Sequence, residues 1–261
     1  MFYNSLFNKT QKNLLVVTNS LYECNQLYSL LRTYSDKVLL FPMDEFMQSV
    51  ALAVSPDLKV KRLETLEKIN DGPSIVVTNL MGYLKFLPSL EMASQNKLQL
   101  KCEMEISRDE IVRSLEHFGY SRDSLVTSTG NYAVRGFIID IFPTFFNHPI
   151  RIEFFGNAIE SIRYFDEDTQ RSLDNITEVT LSPFDEVLSG DNSSLFQYLN
   201  EPLVIFYDYQ QIMAGYEKLT NDILEYQKSD ESHQKQYMFL FEEIKMNDRI
   251  YIDTIENERK D

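Results

Sequence analysis

Three short apolar runs, rich in β-branched residues, constrain this chain more than any other feature: LLVVT at 14–18, KVLLFP at 37–42 and SIVVT at 74–78. None alternates apolar with polar positions, so each reads as a strand buried on both faces. Helical patterns lie between them. The segment after the first run places Leu21, Cys24, Leu27, Tyr28 and Leu31 on one helical face. A second helix is expected from Ser55, a capping residue followed by Pro56 and Asp57, with Leu63, Leu66 and Ile69 as its apolar stripe. Repeated strand–helix units of this kind form a parallel α/β sheet. The pattern returns late in the chain. LVIFYD (Leu203–Asp208) reads as another buried strand, and Ile212, Tyr216, Leu219, Ile223 and Tyr226 mark the helix after it.

The middle of the chain is written differently. Ser107 and Glu110 make a reciprocal capping pattern for a short helix that Gly119 ends. Strands are then expected over Leu125–Ser128, Tyr132–Phe142, Ile150–Phe155 and Ile159–Phe165. Turns are expected at Gly130-Asn131, Asn147-His148 and Gly156-Asn157. This is an antiparallel α+β domain inserted into an α/β lobe. The 261 residues, 43% of them hydrophobic, supply enough apolar material for more than one core. The expected boundaries are 1–104 and 183–261 for the two pieces of the lobe and 105–182 for the insertion.

An α/β lobe raises the question of nucleotide chemistry. A phosphate loop needs glycines whose amides surround the phosphate and a Lys that reaches its oxygens. Eight glycines are present and none precedes a Lys; LLVVT runs straight into Asn19-Ser20-Leu21. The one match to a helicase acidic motif, DESH at 230–233, follows a polar helical segment instead of a buried strand and reads as a solvated turn. Asp208 does end a buried strand, but Tyr209 stands where a catalytic Glu would be needed. The three histidines (His117, His148, His233) have no metal-ligand spacing, and no nucleophile–base set is apparent. The expectation is therefore no catalytic residue, no cofactor and no metal. A net charge of −15 disfavours a general nucleic-acid sleeve. Cys24 and Cys102 fit free intracellular thiols, and no leader or membrane-spanning run is seen, so the reading is a soluble cytoplasmic protein.

The most distinctive block runs from Gly130 to Ser172. It contains Gly130, Tyr132, Arg135 and Gly136 in sequence, an apolar strand with Asp140, Phe142-Pro143, Arg151-Ile152 with Phe155, and Ile159, Ser161, Arg163 and Phe165 in alternation. It ends on Asp168, Gln170, Arg171 and Ser172. This block resembles the UvrB-homology module at the N-terminus of transcription-repair coupling factors (Mfd), as do LLVVTNSLYE and AVSPDLKVKRLETLEKI upstream. The resemblance covers about residues 1–188, with Met1 falling inside the helix after the family's degenerate phosphate loop. It implies a degenerate RecA/helicase-like parallel-sheet lobe in two pieces around the inserted domain, the UvrB 1a-2-1b arrangement. It implies a module without ATPase activity that binds UvrA and so recruits nucleotide excision repair to stalled RNA polymerase. The family's UvrA contacts fall on Arg135, Arg151 and Phe155. A C-terminal domain of the parent protein would mask this surface. The ATP-dependent translocase motor, and the parts that meet RNA polymerase and DNA, would lie downstream.

The residues themselves bear on that assignment. In an extended strand Arg151, Glu153 and Phe155 share one face, while Ile150, Ile152 and Phe154 take the other. Arg135 is expected to share a face with Ala133, Phe137, Ile139 and Ile141. Between Ser107 and Ser182 there are seven arginines and no lysine, and the forked guanidinium suits a protein interface. The plainer alternative is that Arg135 and Arg151 pair with acidic neighbours such as Glu153 on a solvated sheet, with Phe155 in the core. Arg163 and Arg171 read as structural, and Asp140 as a buried partner for an arginine or an amide. The competing functions are an ATPase or helicase lobe and a DNA-binding repair domain.

Overall fold

The computed structural model describes residues 2–44, 55–91, 96–184, 192–229, 238–244 and 248–252. They fall into two compact units, one made of Met1–Leu87 with Ser193–Asp261 and the other of Pro88–Asn192. The first is built on parallel strands and the second on mainly antiparallel ones, so the chain is mixed α/β. DESH (230–233) and the charged end ENERKD (256–261) lie outside the described residues. Among the described residues no helix is long and apolar enough to cross a membrane.

The first unit opens with α1 (Phe2–Thr10), then β1 (Leu14–Thr18), α2 (Leu21–Arg32), β2 (Val38–Phe41), α3 (Pro56–Lys68), β3 (Ile75–Asn79) and α4 (Leu80–Leu84). β1 and β3 are buried at every position, as uninterrupted apolar runs require when helices cover both faces. Alternate residues go to opposite cores. Leu14, Val16, Ile75 and Val77 pack with Cys24, Leu27 and Leu31 of α2, whereas Leu15, Val17 and Val76 join a larger cluster. Ser20 caps α2 with the Glu23 amide as donor, 3.2 Å away. Ser55 does stand at the cap position of α3, but its side chain makes no capping bond; instead its own amide donates to Asp44 Oδ2 at 2.9 Å.

The second unit begins with β4 (Leu98–Lys101) and α5 (Arg108–His117). Ser107 Oγ accepts from the Glu110 amide and Glu110 returns its carboxylate to the Ser107 amide, which is the reciprocal cap expected. The strands that follow are β5 (Ser121–Arg122), β6 (Asn131–Arg135), β7 (Ile138–Ile141), β8 (Ile150–Phe155), β9 (Ala158–Phe165), β10 (Ser172–Ile176) and β11 (Glu178–Leu181). Six of them form one sheet in the order β10-β9-β8-β7-β6-β5, antiparallel except for the β5–β6 pair. β4 pairs with β11 in a separate two-stranded ribbon.

Two expectations are corrected here. Leu125–Ser128 is not a strand; the short strand lies earlier, at Ser121–Arg122. Tyr132–Phe142 is not one strand either. The chain turns at Gly136-Phe137 and returns, pairing Arg135 with Ile138 and Ala133 with Asp140. Gly136 has φ +57°, the left-handed value that a two-residue hairpin loop asks of its first residue and that Gly adopts without strain. Gly156, φ +66°, does the same between Phe155 and Ala158.

The chain then re-enters the first unit with α6 (Leu195–Tyr198), β12 (Leu203–Tyr207), α7 (Tyr209–Ser229) and β13 (Arg249–Ile252). These complete a five-stranded parallel sheet in the order β13-β12-β1-β3-β2. Val204 and Phe206 meet Ile212, Leu219 and Ile223 of α7 in the larger cluster. Each fully buried aliphatic side chain of this kind contributes about 1.5–3 kcal/mol relative to exposure.

Candidate docking site

The candidate site lies on one face of the six-stranded sheet. In β8, Ile150, Ile152 and Phe154 are buried while Arg151 and Glu153 are partly exposed and Phe155 is open to solvent, as the alternation of the run dictates. The opposite face is the hydrophobic one, carrying Tyr132, Ile139, Ile141, Ile159 and Ile162, all buried.

Because the chain turns at Gly136, Asp140 lies on the same face as Arg135 and directly across from Arg151. Its carboxylate is completely buried, with side-chain exposure of 0%. Arg151 binds it with both arms of its fork, Nε to Oδ1 at 2.6 Å and Nη2 to Oδ2 at 3.0 Å. Arg135 Nη2 also donates to Oδ2. Three charge-assisted hydrogen bonds thus replace the hydration that a buried carboxylate loses. Arg151 is 14% exposed and sits over the ring of Phe165, its guanidinium carbon 4.6 Å from the ring centre. The Arg135 side chain is 47% exposed, far more open than Arg151. Below them Val126, Ala133, Phe142 and Phe165 form a small apolar pad.

Glu153 does not pair with either of these arginines. It faces Arg163, which donates Nη1 to Glu153 Oε2 at 2.8 Å and also Nη2 to the second oxygen. Ser161 Oγ adds a bond to the same carboxylate at 3.1 Å. The Arg163 hydrogen bond is the main reason the Glu153 carboxyl is held below the ordinary glutamate range; partial burial opposes it. Phe155 ends this face, 79% exposed.

The three residues singled out in the sequence therefore share one sheet face. Arg135 and Arg151 are joined through Asp140, and Phe155 stands two positions beyond Glu153. Two features escaped the sequence reading. One is the Glu153–Arg163 pair, for which the cross-strand register of β8 and β9 was needed. The other is Phe137, 62% exposed at the hairpin turn. Its signal was present in Gly136-Phe137, a Gly-X pair flanked by apolar runs.

The parallel-sheet unit offers a second place to look, the end of β1. There the amides of Asn19 and Ser20 donate to Glu23 Oε2 at 3.1 and 3.3 Å. The chain's own carboxylate thus occupies the donors that would face an anion at a strand–helix junction. Asp208 follows β12 with φ +59° and accepts a hydrogen bond from Gln211 Nε2 at 2.8 Å. Tyr22, Glu23, Gln26, Tyr207, Asp208 and Gln211 line an open cleft beside it, whose charged side chains are the carboxylates Glu23 and Asp208. Among the described residues no group of three His, Cys, Asp or Glu side chains is arranged to hold a metal ion.

Comparison with known proteins bears on both units. Residues 98–186 match the UvrB interaction domain, a span that contains Arg135, Arg151, Phe155 and their partners. The chain is similar to the transcription-repair-coupling factor of Bacillus subtilis (strain 168), with 32% identity over 193 residues, 72% of this chain and 16% of that protein. It is also similar to those of Staphylococcus aureus (strain bovine RF122 / ET3-1), 33% over 205 residues, and Staphylococcus haemolyticus (strain JCSC1435), 33% over 203 residues. Each of these two covers 77% of this chain and 17% of the relative. The chain thus spans about a sixth of the length of the curated relatives it matches.

Proposed function

We propose, from the premise that the chain belongs with the UvrB-homology modules of transcription-repair-coupling factors, that it is a non-catalytic adaptor that docks UvrA. The observation that carries the proposal is the Arg135–Asp140–Arg151 array with Phe155 exposed on the same face, inside the span matching the UvrB interaction domain. An exposed guanidinium beside an exposed aromatic ring is the mixture that dominates protein interfaces. In the intact protein the module recruits UvrA, and with it excision repair, to RNA polymerase stalled in the cytoplasm. A C-terminal domain masks the docking face until then, and contact with polymerase and DNA belongs to the rest of the protein.

On this reading the parallel-sheet unit is a RecA-like lobe that no longer handles ATP. Glu23 supports this by filling the amides at the end of β1, and so does Tyr209 following Asp208. The translocase motor is a property of the longer protein.

The direct test is equilibrium binding of purified UvrA to the immobilised chain. Phe155→Ala is expected to weaken the complex by about 1–3 kcal/mol while leaving the circular-dichroism melt unchanged. Arg135→Ala should weaken it comparably but also lower the melt, because it takes one of three hydrogen bonds from the buried Asp140. Arg151→Ala would strand a buried carboxylate, so Arg151→Lys is the cleaner variant there. Lysine keeps a positive charge near Asp140 but loses the fork. Wild-type affinity in all three variants removes this surface from consideration. ATP turnover by the isolated chain that disappears in Asp208→Ala would restore the enzyme reading.

A further inference from the structure

Two hairpin turns lie at the same end of the six-stranded sheet. The register pairs Ile138 with Glu153, so the Gly136-Phe137 turn and the Gly156-Asn157 turn both extend beyond that pair in the same direction. The Phe154 amide donates to the Phe137 carbonyl at 2.9 Å, which ties the first turn to the end of the neighbouring strand. Each turn presents a phenylalanine to solvent, Phe137 from one and Phe155 beside the other. The α5 end arrives there as well. Arg108, its first residue, donates Nη1 to the Gly136 carbonyl and places its guanidinium carbon 5.0 Å from the centre of the Phe137 ring.

An exposed ring usually moves freely. Phe137 sits in a turn whose first residue, Gly136, is in the left-handed region, and Arg108 both binds the turn carbonyl and covers one side of the ring. Such a ring loses little freedom on binding, which is the property that distinguishes interface anchors from incidental surface aromatics.

We propose that Phe137, carried on the Arg135–Ile138 turn and steadied by Arg108, is a second aromatic anchor of the UvrA docking surface, entering an apolar socket edged with carboxylates beside the one that takes Phe155. The inference rests on the UvrA-docking reading and extends it. Charge argues for the partner's chemistry. The segment Ser107–Ser182 carries more acids than its seven arginines, but the charged groups that border this turn are guanidiniums: Arg135 precedes it in the strand, and Arg108 reaches it from α5 to bind the Gly136 carbonyl. A partner surface that is acidic around an apolar socket complements both features. Arg108 acts through the ring as a positioning residue.

The test measures Kd for purified UvrA against the full chain and its Phe137→Ala, Arg108→Ala, Phe155→Ala and Arg135→Ala variants and the Phe137→Ala/Arg108→Ala double variant. Tyr22→Ala, an exposed aromatic of the other unit, serves as control. Phe137→Ala is expected to weaken binding tenfold or more with an unchanged melting midpoint. Arg108→Ala should cost affinity in the wild-type background and much less once Phe137 is gone, a coupling that a merely structural role for Arg108 would not show. Tyr22→Ala should bind as wild type. If Phe155→Ala weakens binding and Phe137→Ala does not, the second anchor is wrong while the docking face stands. If neither Phe155→Ala nor Arg135→Ala weakens it, the docking reading itself fails and the second anchor falls with it. A self-association seen by sedimentation that Phe137→Ala abolishes, with UvrA affinity intact, would reassign the turn to a contact between copies and overturn the proposal.

Discussion

A carboxylate buried beneath two guanidinium groups holds its neighbours in place as much as they hold it, and Asp140 is in that position between Arg135 and Arg151. The sequence marked Asp140 as a buried partner for an arginine, because an acid inside an apolar strand has few other ways to be satisfied. It did not show that one acid serves both arginines. Glu153 is the second acid of this face, and its pairing with Arg163 has a measurable consequence. The folded carboxyl titrates below its unfolded value, chiefly through the Arg163 hydrogen bond. Its stabilising contribution is therefore fully present above the unfolded pKa of about 4.3 and is lost as pH falls through the lower folded value. Urea unfolding at a series of pH values should show wild type more stable than Glu153→Gln at neutral pH, with the gap closing on acidification below about pH 4. A gap that stays constant across that range would mean that the Arg163 pair contributes nothing through charge.

The elements of the sheet depend on their turns. Gly136 and Gly156 stand in the left-handed region at the first positions of two-residue loops, and neither would meet other atoms through an added Cβ. The cost of substitution there is backbone strain alone, so Gly136→Ala should lower stability by about 1 kcal/mol. Gly130 is a harsher case. It also has a positive φ, +88°, and a Cβ there would overlap the Phe184 ring, a buried residue of the same unit. Gly130→Ala should cost about 2–4 kcal/mol, more than the strain alone, because overpacking adds to it. Thermal unfolding of the two variants side by side checks the ranking, and equal losses would show that the ring moves aside freely. The element most clearly missed from the sequence was the Gly136 turn. Apolar residues dominate YAVRGFIIDIF on both sides of Arg135-Gly136, with no cluster of turn residues between them, so the stretch imitates one long strand. A two-residue turn shifts the parity of everything after it, which moved Asp140 onto the face of Arg135 and Ile139 and Ile141 off it.

At the scale of the molecule, the described residues divide between a parallel-sheet unit made of two chain segments and an antiparallel unit between them. Each has its own buried clusters, so each has the means to unfold as its own cooperative step. Differential scanning calorimetry of the full chain should resolve two transitions, and Gly130→Ala should lower one and leave the other in place. A single transition shifted as a whole would mean that the two units unfold together. The mixture of parallel and antiparallel sheets was legible beforehand. Runs such as LLVVT and SIVVT have no polar face to expose, so burial between helices is their only stable use, and the reciprocal Ser107–Glu110 cap follows from local hydrogen bonding. The motif block from Gly130 to Ser172 likewise identified the interaction domain and nominated Arg135, Arg151 and Phe155. Only the tertiary structure decided that Arg151 is largely covered while Arg135 stays open, that Glu153 belongs to Arg163, and that Phe137 stands out beside Phe155. The reason is physical. Burial and capping are written in spacings a few residues long, whereas pairing across strands depends on register, and register is set where a turn closes.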